Sequence, residues 1–307
     1  MKLGLTCPRF TWPGGDAAIA ERFAAVARGA DEAGLHSLWV MDHFFQIPNF
    51  GSVEDPMLEA YGALSYAAAL TSRLTLGALV TGVPYRAPGL LIKQVSTLDA
   101  LSGGRAVLGI GAGWYEDEAR GLGLPFPPLG ERFERLEETL RIARQMWSDT
   151  DQPYEGRHYR LARTLNAPQA RPRVLIGGSG ERRTLRLVAE YADACNLLHG
   201  ADVPRKLGVL RAHCERLGRP YEEIEKTLHL RVPDGQSVEE SARICGELAA
   251  QGIDHVIVAM PDAAAPSSLA HLAELADRIS SVAPAGRRGQ GGHQKTKGTP
   301  TGGGRVG

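Results

Sequence analysis

A glycine-rich turn between an apolar run and a helical pattern is the clearest anion-binding feature in this sequence. Three apolar residues, 174–176, end at Gly177, Gly178, Ser179 and Gly180, and apolar residues then recur at three- and four-residue spacing. Backbone N–H groups in a first helical turn lack intrahelical partners, and the helix dipole favours negative charge there. The turn therefore indicates a phosphate seat for a cofactor, with an ordinary strand-to-helix turn as the alternative.

Asp42 and His43 follow a second apolar run and form the only acid–imidazole pair at an expected strand end. A histidine exchanges protons near neutral pH, and a carboxylate can hold its ring in one tautomer. Neighbouring residues on a strand point in opposite directions, so these two need not bond each other. We interpret the pair as candidate catalytic residues. The alternative for His43 is a structural hydrogen bond to a neighbouring loop.

The elements that must position these residues alternate between strand and helix about eight times. The expected strands are short and almost continuously apolar, as parallel strands covered on both faces should be. They span residues 3–7, 35–41, 74–80, 105–110, 174–176, 193–198, 227–232 and 255–260. This α/β pattern predicts a (β/α)8 barrel, with an irregular insertion and small hairpin between the fourth helix and fifth strand. An open doubly wound sheet is the alternative, but no GxGxxG motif follows the first strand.

The barrel prediction places the chemistry at the carboxyl ends of the strands. Three segments should therefore surround one mouth together with Asp42 and His43. They are Thr81, Gly82 and Val83 after the third strand, Gly111, Ala112 and Gly113 after the fourth, and the glycine-rich turn after the fifth.

Composition excludes several classes of function. Lys plus Arg and Asp plus Glu both number 35, so the formal net charge is zero and a nucleic acid or membrane surface is not expected as partner. No apolar run suits a membrane helix or a signal peptide, so we expect a cytoplasmic protein. The four cysteines have no metal-ligand spacing, and no metal is expected. We expect a folded domain over residues 1–284 and a disordered Gly-, Arg- and Lys-rich tail over 285–307.

Three segments, residues 23–44, 74–118 and 175–196, together resemble the luciferase-like monooxygenase superfamily, and within it the branch that uses the deazaflavin coenzyme F420. The three segments have the order and spacing of the family, and the resemblance covers nearly the whole expected domain. The resemblance implies a barrel enzyme, an oxidoreductase that transfers a hydride between F420 and a small organic substrate. It also implies a homodimer.

The resemblance also implies roles for residues. It implies a non-proline cis peptide at Gly82–Val83 behind the cofactor ring, with Thr81 beside it, and phosphate contacts at Gly177, Gly178, Ser179 and Gly180. Asp42 and His43 match a pair that lines the ring pocket. Gly111, Ala112 and Gly113 match a loop that runs close to the cofactor. Trp114 departs from sugar-phosphate dehydrogenases of this branch, which have a glutamate there.

Two other functions remain open from the sequence. One is an FMN-dependent monooxygenase of the bacterial luciferase type, which would use O2 and reduced flavin from a partner flavin reductase. The absence of an arginine near Ala112 favours the deazaflavin over FMN. The other is a flavin-binding protein without enzymatic activity, against which the retained Asp42–His43 pair and intact glycine turns argue.

Overall fold

The computed structural model describes residues 1–198 and 200–285. The expected tail therefore lies, apart from Ala285, outside the described residues, as does His199. Nine helices of the α type and eleven strands occur in the described chain. The strands are β1 (Lys2–Cys7), β2 (Ser37–Val40), β3 (Thr75–Ala78), β4 (Thr81–Gly82), β5 (Ala106–Gly111), β6 (Tyr154–Glu155), β7 (Arg160–Leu161), β8 (Arg173–Gly177), β9 (Ala194–Leu197), β10 (Glu225–Arg231) and β11 (His255–Ala259).

The helices lie between these strands and after the last one. They are α1 (Ile19–Glu32), α2 (Ala60–Leu70), α3 (Pro88–Ser102), α4 (Glu116–Gly121), α5 (Leu129–Met146), α6 (Thr184–Tyr191), α7 (Val203–Leu217), α8 (Val238–Ala250) and α9 (Pro266–Ser280). Their apolar faces pack on the sheet, as Phe23, Val26 and Ala30 of α1 show by their burial. Gly218, with φ of 65°, ends α7 in the left-handed conformation that glycine adopts without a Cβ penalty.

Eight parallel strands close into a barrel, which confirms the predicted (β/α)8 fold. Their order is β3-β2-β1-β11-β10-β9-β8-β5, and β3 pairs again with β5 to close the ring. The two-residue β4 adds to the edge of β5 beyond the end of β3. The predicted hairpin is present as β6 and β7, which pair in antiparallel fashion between α5 and β8.

The third strand differs from the prediction in a way that affects the site. It ends at Ala78 instead of Val80, and the cis peptide lies at Leu79–Val80, not at Gly82–Val83. The strand packs closely on β5 at this point, since a Cβ on Gly109 would lie 1.9 Å from the Ala78 carbonyl oxygen. Pairing with β5 resumes at β4, where Thr81 lies opposite Ile110.

Two local features of the helices are specific to this structure. The six-residue helix α4 lies between β5 and the proline-rich segment at 122–130. A short 3-10 turn (Gly15–Ala18) precedes α1, and Ala18 occupies its N-cap without a side-chain hydrogen bond.

A buried polar cluster fills the amino end of the barrel, opposite the predicted site. Glu225 Oε1 lies 3.0 Å from Lys2 Nζ, and Glu225 Oε2 lies 2.7 Å from Arg173 Nη1. His36 and His255 complete the cluster, with their ring centroids 5.2 Å apart. These two histidines and Glu225 could approach one metal ion. However, both carboxylate oxygens already face cations, which opposes binding of another positive charge.

Among the described residues, no helix is both long enough and apolar enough to span a bilayer. All four cysteines are buried free thiols. Burial raises the pKa of Cys7 and of Cys195 to about 12, so neither thiol is reactive near neutral pH.

Candidate active site

A cavity of about 510 Å³ opens at the carboxyl ends of the barrel strands. Nine of the predicted site residues line it, and they come from four different strand ends. They are Asp42, His43, Gly82, Gly111, Ala112, Gly113, Gly177, Gly178 and Gly180. The barrel therefore brings together segments that lie more than 130 residues apart in the chain, as the parallel strand order requires.

Three predicted residues do not line this cavity. Thr81 is fully buried, and its Oγ1 lies 2.8 Å from the hydroxyl of Tyr61. Val83 is buried in the main hydrophobic core. Ser179 lies within the glycine-rich turn, where its buried Oγ has no hydrogen-bond partner. Thr81 and Val83 thus support the loop after β3 from behind.

His43 is paired with an acid that the sequence did not single out. Its Nδ1 lies 3.1 Å from Oε1 of Glu118, on the short helix α4. The buried Glu118 carboxylate also accepts hydrogen bonds from the Tyr85 hydroxyl at 2.6 Å and from the backbone N–H groups of Phe44 and Phe45. Four donors thus surround one carboxylate, which positions the strand end that holds His43.

These contacts decide the charge on Glu118. Burial alone would raise its pKa, but the hydrogen bonds from His43, Tyr85 and the Phe45 N–H lower it below the usual range. Glu118 is therefore an anion at neutral pH and only accepts hydrogen bonds. Consequently Nδ1 of His43 holds a proton, and Nε2 is the nitrogen that remains free for proton exchange.

Asp42 is used differently from His43. Its two oxygens accept hydrogen bonds from Arg86 Nη1 and Nη2 at 2.7 and 2.8 Å, and Oδ2 also accepts from the Gly82 N–H at 3.1 Å. Burial raises the pKa of Asp42, and the Arg86 hydrogen bonds oppose that rise. Asp42 thus ties the end of β2 to β4 and holds the segment that follows the Leu79–Val80 peptide.

The glycine-rich turn after β8 is closely packed against this segment. A Cβ on Gly177 would lie 2.8 Å from Val80 Cγ1, and a Cβ on Gly111 would lie 2.9 Å from Val80 Cγ2. Gly178 has a φ of +119°, which side chains disfavour. Val80 therefore protrudes between the two glycine strand ends, and only glycine leaves it room.

The same turn offers hydrogen-bond donors. Helix α6 begins at Thr184 without a side-chain cap. The Leu185 N–H already donates to the Gly180 carbonyl, so only the other N–H groups of the first turn could serve a ligand. The buried Ser179 Oγ has no partner, and Thr184 lines the cavity. Arg182 and Arg183, which flank the turn, are exposed and do not line the cavity. An anion here would thus be held by backbone and hydroxyl groups.

A model of the luciferase-like monooxygenase family matches residues 1–297, which is nearly the whole chain. The chain belongs to the luciferase-like monooxygenase family. This luciferase-like chain is 32% identical over 227 residues to an F420-dependent glucose-6-phosphate dehydrogenase from Kineococcus radiotolerans. The match covers 70% of this chain and 66% of that relative, so it spans just under two thirds of the relative's length.

Solved structures share the fold at lower sequence identity. An F420-dependent secondary alcohol dehydrogenase, solved with an F420–acetone adduct, superposes with a TM-score of 0.75 at 16% identity, covering 92% of this chain and 98% of that one. A riboflavin lyase solved with modified FMN gives a TM-score of 0.76 at 14% identity, covering 92% of each chain. The fold of this luciferase-like protein is therefore common to proteins that bind either cofactor.

Glu118, Tyr85 and Arg86 are the functional candidates that sequence reasoning missed. Glu118 ends an acidic run, Glu116, Asp117 and Glu118, that follows the loop after β5. The rule that barrel sites lie at strand ends could have drawn attention to this run, but only the fold of α4 decides which of the three acids reaches His43.

Proposed function

We propose that this protein is an F420-dependent oxidoreductase that transfers a hydride between the deazaflavin and a small organic substrate. The observation that supports it best is the geometry of one continuous cavity. This cavity joins a donor-rich glycine turn, at 177–180, to the His43–Glu118 pair. A flat ring with a phosphate-bearing tail would fit between these ends. The dehydrogenase from Kineococcus radiotolerans supports F420 in particular.

The residues present fit such a cofactor. The ring would lie near Val80 and the glycines that end β5 and β8, Gly111 and Gly177, which have no side chain to obstruct it. The phosphate would be held where Gly178, Gly180 and Thr184 line the cavity at the start of α6, with the unpartnered Ser179 Oγ in the same turn. When bound, F420 supplies a hydride donor or acceptor, and the protein supplies orientation and electrostatics.

The chain's own residues would manage the proton. Glu118 keeps Nδ1 of His43 protonated, so Nε2 can take a proton from a substrate hydroxyl or return one to a carbonyl oxygen. The anionic Glu118 also stabilises the imidazolium that forms when Nε2 is protonated. Asp42 would act by positioning, because Arg86 and the Gly82 N–H occupy its carboxylate.

An FMN-dependent monooxygenase is the second candidate. The riboflavin lyase structure supports this second candidate, since its fold is as similar to this chain as that of the F420-dependent alcohol dehydrogenase and it contains modified FMN. That activity would require O2 and a flavin reductase as partner. A homodimer and a cytoplasmic location are further parts of our proposal that rest on the family resemblance and on composition.

A binding titration tests the proposal and separates the two cofactors. The purified protein is titrated with F420 and, separately, with FMN, and binding is followed by the fluorescence of each cofactor. We expect F420 to bind at least tenfold more tightly than FMN. Preference for FMN would overturn the deazaflavin proposal in favour of oxygen-dependent chemistry, and binding of neither would contradict the phosphate seat itself.

A further inference from the structure

We propose that the substrate of this site is an uncharged, largely apolar molecule, and not a sugar phosphate. The inference rests on the proposed function, because it names the substrate class of the same cavity. It goes beyond the dehydrogenase relative, whose name specifies glucose 6-phosphate. Three features of the mouth support it: an apolar rim, the positions of the nearby cations, and the number of anion seats.

Large apolar side chains converge at the mouth although they are exposed to water. Trp114, Leu129 and Leu198 are 59%, 54% and 57% exposed, and all three line the cavity. They come from three separate elements, namely the loop after β5, the start of α5 and the end of β9. Exposed apolar surface of this size is costly unless something covers it, and its place on the cavity indicates an apolar ligand.

The indole of Trp114 is held in place as part of this rim. It stacks on Tyr115 with ring centroids 5.1 Å apart and an interplanar angle of 14°. It also meets the His43 ring edge-on at 5.4 Å. A substrate that exchanges a proton with His43 must therefore contact the indole, so Trp114 is a specificity-determining residue in this proposal.

No lysine or arginine is among the described residues that line the cavity. Three arginines beside the cavity have other contacts. Arg86 binds Asp42 and Glu59. Arg132 donates to the Gly113 carbonyl and lies 4.1 Å from the ring centroid of Phe126, while its buried Nε has no hydrogen-bond partner. Arg183 lies over the ring of Phe133. A second phosphate would thus meet no cation among the described lining residues.

The cavity has one donor-rich anion seat among the described residues, at the glycine-rich turn and the start of α6. The proposed cofactor has a phosphate of its own, which would take this seat. A phosphorylated substrate would then have to place its charge against Trp114, Leu129 or Leu198. Desolvating a phosphate beside apolar groups is strongly unfavourable, so such a substrate is selected against.

Tryptophan fluorescence offers a direct test that does not require turnover. Of the four tryptophans, Trp12, Trp39 and Trp147 are at most 8% exposed, whereas Trp114 is 59% exposed. Acrylamide quenching in the full-length protein therefore reports mainly on Trp114. Cyclohexanol and glucose 6-phosphate are compared as ligands, in protein without cofactor and again with F420 bound.

We expect cyclohexanol to protect Trp114 from acrylamide in both states. With F420 in the anion seat, glucose 6-phosphate should leave quenching unchanged. Protection by glucose 6-phosphate in the F420-bound protein, or no protection by cyclohexanol in either state, overturns the inference. The fluorescence of F420 reports cofactor binding separately. A protein that fails to bind F420 but whose Trp114 is protected by cyclohexanol would contradict the proposed function while keeping the apolar mouth.

A matched pair of variants shows whether the rim itself binds the ligand. Leu198→Lys places a cation on the rim and should weaken cyclohexanol binding about fivefold to tenfold through the loss of apolar contact. Leu165→Lys makes the same change at an equally exposed leucine, 57%, that does not line the cavity. Equal affinity in both variants would exclude Leu198 as part of the binding surface.

Discussion

At the scale of single residues, one buried carboxylate organises the candidate catalytic histidine. Glu118 accepts hydrogen bonds from two side chains and two backbone N–H groups, and it is fully buried. Replacing a buried acceptor that has four donors lowers the free energy of unfolding, because each donor left without a partner has given up its hydrogen bonds to water and gained none in the protein. The residue thus links the stability of the site to the orientation of His43.

Replacing Glu118 by glutamine should therefore affect both stability and turnover. The amide nitrogen of Glu118→Gln would face at least one donor, so we expect the free energy of unfolding to fall by about 1–3 kcal/mol in urea denaturation. The rate constant kcat should fall about tenfold or more, while the Kd for F420 stays unchanged, because Glu118 does not line the cavity.

A double-mutant cycle distinguishes positioning from a general loss of structure. His43→Asn should lower kcat about 100-fold, as expected for loss of a general acid or base. If Glu118 acts through His43, the double variant should be no slower than His43→Asn alone. Additive losses in kcat would show that Glu118 acts independently of His43.

The Asp42–Arg86 pair gives a second prediction at this scale. The Arg86 side chain is 7% exposed and that of Asp42 is 0% exposed. Arg86→Met would leave a buried carboxylate without its partner, which should lower the free energy of unfolding by about 3–5 kcal/mol in urea denaturation. Adding Asp42→Asn to Arg86→Met should restore part of that loss. A loss below about 1 kcal/mol for Arg86→Met would contradict the role of the pair.

At the scale of elements, the site depends on strand ends that lack side chains. β5 and β8 end in Gly111 and Gly177, and the side chain of Val80 fills the space that Cβ atoms would take there. Leu79 and Val80, which follow β3, thereby line the cavity where the cofactor ring is proposed to lie.

An alanine at Gly177 tests this close approach. Its Cβ would lie 2.8 Å from Val80 Cγ1, so Val80 or the glycine-rich turn must shift. We expect Gly177→Ala to weaken F420 binding at least tenfold and to cost about 1–3 kcal/mol of stability, measured by fluorescence titration and urea denaturation.

Gly208→Ala is the matched control. Gly208 lies within α7, and a Cβ added there meets no atom within 4 Å. This change should leave F420 binding unaltered and should stabilise the helix by about 0.5–1 kcal/mol. Equal F420 affinity in the two alanine variants would show that Val80 does not need a glycine beside it.

At the scale of the whole molecule, the polar cluster at the amino end of the barrel makes stability depend on pH. Burial, together with the neighbouring His255 and Lys2, lowers the pKa of His36 to about 4. The unfolded chain therefore binds a proton on His36 before the folded chain does. Its contribution to stability is constant above about pH 6.5 and is lost progressively as the pH falls toward 4.

Urea denaturation at several pH values checks this dependence. Between pH 6.5 and 4 we expect His36 to account for a loss of up to about 3 kcal/mol, and His36→Gln should remove that part of the pH dependence. The pKa of Glu225 is lowered by His255, Lys2 and Arg173, whose effect outweighs that of burial. Its contribution to stability is therefore lost only below about pH 4.5, and this loss should persist in His36→Gln. An unchanged pH profile in His36→Gln would show that His36 does not titrate across this range.

Much of the architecture was accessible from local patterns. Short apolar runs, helical spacing and glycine punctuation depend on neighbours in the chain, so they located eight barrel strands and most helices within a few residues. The barrel rule then placed Asp42, His43 and the glycine segments at one mouth without any knowledge of their contacts. The glycine-rich turn indicated a phosphate seat, and the family resemblance added the identity of the proposed cofactor.

The sequence by itself thus determined which segments meet, because parallel strand order follows from alternation along the chain. Only the tertiary structure decided which side chains pair. His43 bonds Glu118, 75 residues away, and Asp42 bonds Arg86, 44 residues away. The backbones of β3 and β5 come so close that Gly109 has no room for a Cβ beside the Ala78 carbonyl. Such contacts depend on distances between elements, which no local pattern specifies.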